Sequence, residues 1–434
     1  MRLIIHVLAV LVVTFVLVAR GQSPNVVLIM ADDLGYHDLS GYGHPKIKTP
    51  VLDQLAKDGV NLTNFYAGAT VCTPSRMALL TGAYPSRLGW TKGVVGYLMN
   101  PGAGLQAEAL TMAEVFRSEG YATGMTGKWH LGDESPMLPM EQGFEDTFYI
   151  KRSNNQTTEL WRNTTLAEDP FDNRQLTKKF TNEAVRFIRE QKASPFFLYV
   201  PFTAPHFPVQ AHPDWKGKSD YGVYGDVVEE MDGRIGEILN ALEEENLSEK
   251  TIVAFLSDNG PEPLTKESKA LPYRGKKWSA LEGGTRVPCI FRFPKVLPKG
   301  ETCEAMIAAM DLFPTLASAC GIDLKKHTTG SPVIDGVDVW ETLLGKSESP
   351  HPRNDLLYWH GKEGLQAIRQ GDWKLFLTKR PKLYDLANDA GELNNLSSQH
   401  PERVRSMRAL AKRKLAEINA EPRSLIGGPP SESR

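Results

Sequence analysis

Val26-Val27-Leu28-Ile29-Met30, preceded by Pro24-Asn25 and followed by Ala31-Asp32-Asp33-Leu34-Gly35, is a short β-branched run bounded by turn residues. No polar residue alternates through it, so it reads as a strand buried on both faces. The same grammar recurs three times. Tyr121 to Thr126 runs into Gly127-Lys128-Trp129-His130, Phe196 to Val200 runs into Pro201-Phe202-Thr203-Ala204-Pro205-His206, and Thr251 to Leu256 runs into Ser257-Asp258-Asn259-Gly260.

Helices with legible ends lie between these strands. Thr49 can cap a helix with Pro50 at its first position, apolar Val51, Leu52, Leu55 and Ala56 on one face, and Gly59 as the stop. Thr111-Met112-Ala113-Glu114 is a capping box opening a helix that stops at Gly120. Thr177 to Gln191 and Tyr221 to Glu244 carry apolar residues at helical spacing. Strands alternating with helices predict an α/β fold with a large mixed, mostly parallel sheet sandwiched by helices. In such folds ligands sit beyond the carboxyl ends of the strands, where all four polar motifs fall, so these motifs should converge.

From about Asp355 short runs split by Gly and charged turns (Leu356 to Trp359, Gln366 to Arg369, Trp373 to Leu377, Leu383-Tyr384) predict a small antiparallel sheet. A packed helix from about Pro401 to Ile418 follows. The chain thus divides into a signal peptide (1–21), a catalytic α/β domain (22–350), an antiparallel-sheet subdomain (351–425) and a loose tail (426–434).

The leader starts Met1-Arg2, continues apolar from Leu3 to Val18 except for His6 and Thr14, and ends Ala19-Arg20-Gly21, with small residues at −3 and −1 of a cleavage site. A retained anchor is the rival reading, since the run approaches the roughly 20 residues that span a bilayer. Cleavage is favoured because the globular pattern starts at Pro24 without a spacer; the protein is expected to be secreted or periplasmic, with no membrane span after cleavage. Hydrophobic residues at 41% and charged residues at 24% exclude a disordered chain. A net charge of −2 supplies no basic field for nucleic acid, so no such partner is expected. Four cysteines exclude a disulfide-built scaffold.

Cys72-Thr73-Pro74-Ser75-Arg76-Met77-Ala78-Leu79-Leu80-Thr81-Gly82 is the most informative stretch. Pro74 suits the first turn of a helix and Gly82 its end, which places Cys72 at a helix N-terminus. The dipole there favours an anion and predicts a depressed thiol pKa. A buried structural cysteine is the alternative for a thiol standing alone. Cys-Thr-Pro-Ser-Arg running on to Leu-Thr-Gly closely resembles the signature of the formylglycine-dependent sulfatases of the alkaline phosphatase superfamily. Asp32-Asp33-Leu34-Gly35, Gly127-Lys128-Trp129-His130-Leu131-Gly132, Ala204-Pro205-His206, Ser257-Asp258-Asn259-Gly260, Arg274-Gly275-Lys276-Lys277 with Glu282-Gly283-Gly284, Gly371-Asp372-Trp373-Lys374 and Leu383-Tyr384-Asp385-Leu386 resemble that family's motifs in its order.

The resemblance implies that Cys72 is oxidised to formylglycine by a maturation system and that its hydrate is the nucleophile. It implies one Ca²⁺ per chain, held by Asp32, Asp33, Asp258, Asn259 and an oxygen of modified Cys72. The chemistry agrees, since carboxylates and an amide carbonyl suit Ca²⁺ or Mg²⁺ better than zinc. Taken singly, Asp32-Asp33 could equally be a cap and Asp258-Asn259-Gly260 a turn. By the same resemblance Arg76 braces the nucleophile and the metal carboxylates, and Lys128 grips a sulfate oxygen. His130 bonds the nucleophile and later removes the proton that expels sulfate, while His206 and Lys277 hold the bridging oxygen and protonate the leaving group. Lys128 and His130, two apart on an extended segment, should point the same way. The spacing to Glu282 selects Lys277 over Lys276, although Lys276 stands where the family usually has glycine.

The implied reaction is hydrolysis of a sulfate monoester, with a sulfated small molecule or glycan as substrate and a carbohydrate sulfate expected for an exported enzyme. The rivals are a phosphate mono- or diesterase of the same superfamily and a non-catalytic sulfated-glycan binding protein. His37, His212 and Trp215 are further candidates for substrate contact. One disulfide among Cys289, Cys303 and Cys320 would leave an odd thiol; buried free thiols are the alternative.

Overall fold

The computed structural model describes residues 23–328, 333–347, 352–420 and 426. The leader at 1–21 and the stretch 427–434 lie outside the described residues. Ile426, read as the start of the tail, is buried, and its carbonyl accepts from Gly104 N at 2.6 Å.

The strands are β1 (Asn25–Ala31), β2 (Val60–Leu62), β3 (Phe65–Tyr66), β4 (Ala122–Lys128), β5 (Asp146–Ile150), β6 (Leu160–Arg162), β7 (Thr165–Glu168) and β8 (Phe196–Pro201). They continue with β9 (Thr251–Ser257), β10 (Cys289–Arg292), β11 (Glu301–Cys303), β12 (Ile307–Ala308), β13 (Asp355–His360), β14 (Gly364–Gln370), β15 (Trp373–Phe376) and β16 (Lys382–Asp385). The helices are α1 (Pro50–Lys57), α2 (Cys72–Thr81), α3 (Met112–Ser118), α4 (Leu176–Gln191), α5 (Gly222–Glu244), α6 (Glu282–Thr285), α7 (Leu312–Ala319), α8 (Trp340–Leu343) and α9 (Pro401–Ala420).

One large sheet runs β11-β2-β10-β9-β1-β8-β4-β5-β6-β7. Its centre, β9-β1-β8-β4-β5, is parallel throughout. Antiparallel pairing at β10 on one side and at β6 and β7 on the other makes it mixed. This is the predicted architecture. Alternate residues of β1 explain it: Val26, Leu28 and Met30 enter one core with α2, α3 and α7, whereas Val27, Ile29 and Ala31 enter a second with α1, α4 and α5. Both faces of the sheet are therefore dry, which is why the strand reads as an unbroken apolar run.

The local capping signals hold at one helix and not at the other. Thr111 makes the expected capping box with Glu114. Thr49 occupies the N-cap position of α1 but gives no side-chain cap; Asp232 of α5 takes its place, accepting from Val51 N at 3.0 Å and Leu52 N at 2.8 Å. A carboxylate from a neighbouring helix satisfies the orphan donors, which no local motif announces.

β13 to β16 form a sequential antiparallel sheet, as predicted, and α9 packs beside it. Leu356 and Leu357 of β13 and Met407 of α9 belong to the same apolar cluster as Met77 of α2, so the C-terminal sheet shares a core with the large one. A buried ionic knot joins them. Lys374 Nζ lies 2.9 Å from Glu282 Oε1 and 3.0 Å from Glu392 Oε1, and all three side chains are fully enclosed. Tyr66 and Tyr358 hydroxyls also donate to Glu282. Burial opposes the charge on Glu282, but Lys374, Arg369 and Arg286 hold its pKa down to about 2. Its contribution to stability is therefore complete above the ordinary value of 4.5 and is lost as pH falls through about 2. Lys374→Met strips the shared cation from two buried carboxylates and is expected to cost about 3–5 kcal/mol, read as a lower urea midpoint for loss of structure. An unchanged midpoint would show that the knot contributes nothing.

Candidate active site

The four parallel strands deliver their polar ends to one buried point. β1 leads into Asp32 and Asp33, β9 into Asp258 and Asn259, β4 ends on Lys128, and the segment after β8 brings His206. Backbone N–H groups lock these turns together: Asp32 N donates to Ala204 O at 2.9 Å, Asp258 N to Ala31 O at 3.1 Å, and Asp33 N to the Asp258 side-chain Oδ1 at 3.1 Å. Asp33 (φ 63°), His130 (φ 59°) and Trp278 (φ 66°) all adopt left-handed backbone, which costs on the order of 1–3 kcal/mol each and persists because the surroundings over-determine it.

Three cations face three carboxylates. Arg76, one turn into α2, donates through Nε and Nη2 to Asp258 Oδ2 at 3.1 and 2.8 Å and through Nη1 to the Lys128 carbonyl at 2.8 Å. Lys128 Nζ donates to Asp32 Oδ2 at 2.6 Å, and Lys277 Nζ to Asp33 Oδ2 at 2.8 Å. Lys277 also lies 3.3 Å from Glu262, which sequence reading missed; only its place four residues after Asp258 could have flagged it. Burial works against the Lys277 charge, but Asp33 beside it holds the ammonium protonated far above the usual lysine range. Lys276 turns away, donating to the Thr265 carbonyl at 2.9 Å, so of the two lysines it is Lys277 that reaches the cluster.

The histidines are fixed as tautomers by carbonyls, which only accept. His130 Nε2–H donates to Val95 O at 2.9 Å, leaving Nδ1 a buried lone pair without a hydrogen-bond partner. His206 Nδ1–H donates to Phe207 O at 2.7 Å, leaving Nε2 free and 3.6 Å from Asp33 Oδ2. Burial keeps both imidazoles neutral, helped at His130 by Lys128 and Arg76, and at His206 by Lys277 against the pull of Asp33. No sequence signal points to Val95, whose backbone alone orients His130.

The sulfatase family model matches residues 24–322, and the model for the C-terminal part of N-sulphoglucosamine sulphohydrolase matches residues 275–421. The arylsulfatase of Hemicentrotus pulcherrimus is 36% identical over 84% of this chain and 69% of its own. The N-acetylgalactosamine-6-O-sulfatase of Bacteroides thetaiotaomicron is 32% identical over 90% of this chain and 93% of its own. Among solved structures, Ps i-CgsB in complex with k-i-k-neocarrahexaose superposes with a TM-score of 0.81 at 28% identity, covering 92% of this chain and 94% of that one. The chain belongs to the sulfatase family. It is a sulfuric ester hydrolase of the alkaline phosphatase superfamily.

The sulfatase residues present fit a hard divalent cation. Asp32 Oδ1 and Asn259 Oδ1 are buried with no hydrogen-bond partner. The Asn259 amide cannot be turned round, because Nδ2 already donates to Asp33 Oδ1 at 2.6 Å and to Gly260 O at 2.9 Å. Asp32, Cys72 and Asp258 bring ligand atoms within 4.8 Å of one another, as do Asp32, Asp33 and His206. Desolvated oxygens with nothing to accept from are what a metal ion would satisfy.

Two expectations about this sulfatase fail. Cys72 does open α2, but its thiol pKa is raised, not depressed: full burial, with Asp32 and Asp258 close by, outweighs Lys128 and Lys277. The unmodified thiol is thus a poor nucleophile at neutral pH. Lys128 and His130 do not share an extended segment either, since β4 ends at Lys128 and His130 is left-handed. The other candidates have local partners. His37 packs on His44 and faces the Tyr42 carbonyl, His212 pairs with Asp214, and Trp215 packs against Gly233 of α5. All four cysteines are free thiols, so no disulfide forms among Cys289, Cys303 and Cys320.

Proposed function

We propose that this sulfatase hydrolyses sulfate monoesters of carbohydrates, with Cys72 carried as formylglycine and one Ca²⁺ held by Asp32, Asp33, Asp258, Asn259 and residue 72. The observation that supports it best is the meeting, at Cys72, of orphaned acceptor oxygens with Lys128, Lys277 and Arg76. Formylglycine would supply a hydrated aldehyde as nucleophile, and the divalent ion would supply Lewis-acid charge. Lys128 grips non-bridging sulfate oxygens, Lys277 donates to the bridging oxygen, and Arg76 keeps Asp258 in place. His206 donates to the same oxygen once Nε2 carries a proton. His130 offers its Nδ1 lone pair to a hydroxyl at residue 72 and accepts the proton when sulfate departs. Carbohydrate is favoured because one relative is named for N-acetylgalactosamine 6-O-sulfate and a structural neighbour holds a neocarrahexaose. Export, supported by the apolar leader, would bring the enzyme to sulfated polysaccharides; among the described residues no helix is long and apolar enough to cross a membrane.

The test compares hydrolysis of 4-nitrophenyl sulfate with that of 4-nitrophenyl phosphate and weighs the peptide containing residue 72 from the active enzyme. The sulfate ester is expected to react faster, and the peptide to show sulfur replaced by oxygen with loss of two hydrogens. Faster phosphate hydrolysis would favour the phosphoesterase rival. Full activity from protein carrying only unmodified Cys72 would overturn the nucleophile assignment.

A further inference from the structure

Tyr97, Trp278 and Lys362 come from three separate segments, meet beside Cys72, and have no role in the chemistry above. Trp278 follows Lys277 directly and packs against the small cluster of Val71, Cys72 and Val94. Tyr97 sits on a tight turn closed by Val94 N to Tyr97 O at 2.8 Å and Tyr97 N to Val94 O at 2.9 Å. That turn is fastened to the site, because Val95 N donates to Thr73 Oγ1 at 3.1 Å and Val95 O accepts from His130. The Gly361 carbonyl accepts from Gly93 N at 2.7 Å and its N–H donates to Thr70 Oγ1 at 3.0 Å, which carries Lys362 to the same place. A Cβ at Gly361 would come within 2.5 Å of the Trp278 ring, so only glycine allows this approach.

The rings of Tyr97 and Trp278 meet edge to face at 6.1 Å, and Lys362 Nζ stands 5.1 Å from the Trp278 centroid and 5.9 Å from that of Tyr97. Tyr97 is 47% exposed, and Lys362 is exposed as well. Among the described residues no carboxylate lies within ion-pair distance of Lys362 Nζ, its exposed sequence neighbour Glu363 included. The aromatic faces hold the ammonium in one region, so part of the ordering cost of using it is met before any ligand arrives.

We propose that Lys362, positioned by Tyr97 and Trp278, binds a second anionic group of the substrate, a carboxylate or a further sulfate, and so selects multiply charged saccharides. This rests on the carbohydrate reading above. The experiment measures kcat/KM on three matched disaccharides that share one cleavable sulfate: one with no other charge, one with a uronate carboxylate and one with a second sulfate. Wild type should prefer at least one charged disaccharide. Lys362→Ala should erase about tenfold of that preference, Lys362→Arg should keep it, and added salt should shrink it. Tyr97→Ala should lower the preference and Tyr97→Phe restore it, an effect that a merely structural tyrosine would not show. The two charged arms tell carboxylate from sulfate recognition. Equal losses on all three disaccharides, or no wild-type preference, would overturn the Lys362 subsite and leave the carbohydrate reading intact. Turnover of 4-nitrophenyl sulfate with none of any saccharide would overturn both.

Discussion

Stripped of divalent metal by chelation and desalting, the enzyme is expected to lose turnover, and Ca²⁺ should restore it better than Zn²⁺. Asp32, Asp33, Asp258 and Glu262 face Arg76, Lys128 and Lys277, so the protein groups alone leave the pocket slightly negative. An added dication would make it positive and able to draw in an anionic ester. The acceptors waiting there are oxygens, Asp32 Oδ1 and Asn259 Oδ1, which favour a hard ion of high coordination number. A readout independent of activity is the unfolding midpoint, which should rise with Ca²⁺ because the ion binds the folded state only. Asn259→Ala should weaken that rise by removing one donor. Verified metal-free protein with full activity would rule the assignment out.

Lys277→Ala and His206→Ala should each damage hydrolysis of a sugar sulfate far more than that of 4-nitrophenyl sulfate. A sugar alkoxide is strongly basic, and general-acid help to it is worth on the order of 10²–10⁴ in rate. Nitrophenolate leaves nearly unaided. The structure orders the two effects. Lys277 carries its proton at rest, whereas buried His206 is neutral at Nε2, so the larger loss is expected at Lys277. Lys128→Ala should lower kcat/KM on both substrates about equally, because contacts to non-bridging oxygens help either leaving group. Equal losses on the two substrates for both Lys277→Ala and His206→Ala would reject the leaving-group role.

The central strands were legible because both faces are buried, which turns Val26 to Met30 into an unmistakable run. The edge strands β6, β7 and β11 were not, being only three or four residues long and partly exposed. Asp32, Asp33, Asp258 and Asn259 were readable because each follows directly on a strand whose end is fixed by the sheet. Lys277 needed the resemblance, since an exposed basic turn and a buried ammonium look alike until Asp33 is seen beside it. The raised thiol of Cys72 was not readable at all. It depends on burial and on carboxylates far away in sequence, while the helix start that argued for the opposite shift is local.

The knot at Glu282, Lys374 and Glu392 bears on how such a chain can be recombined. A change of sequence texture near residue 350 invites a cut there, but Glu282 lies before that point and Lys374 and Glu392 after it. A chimera joined at 350 would marry one relative's carboxylate to another's ammonium in a fully buried contact, where a mismatch leaves a charge unpaired. The family model that begins at residue 275 draws the line on the other side of Glu282 and keeps all three together. Lys277, Trp278 and Lys362 fall within the same segment. The proposed proton donor of the leaving group and the surface that would choose the saccharide are therefore inherited as one piece with the C-terminal sheet, and exchanging that piece between relatives transfers them jointly.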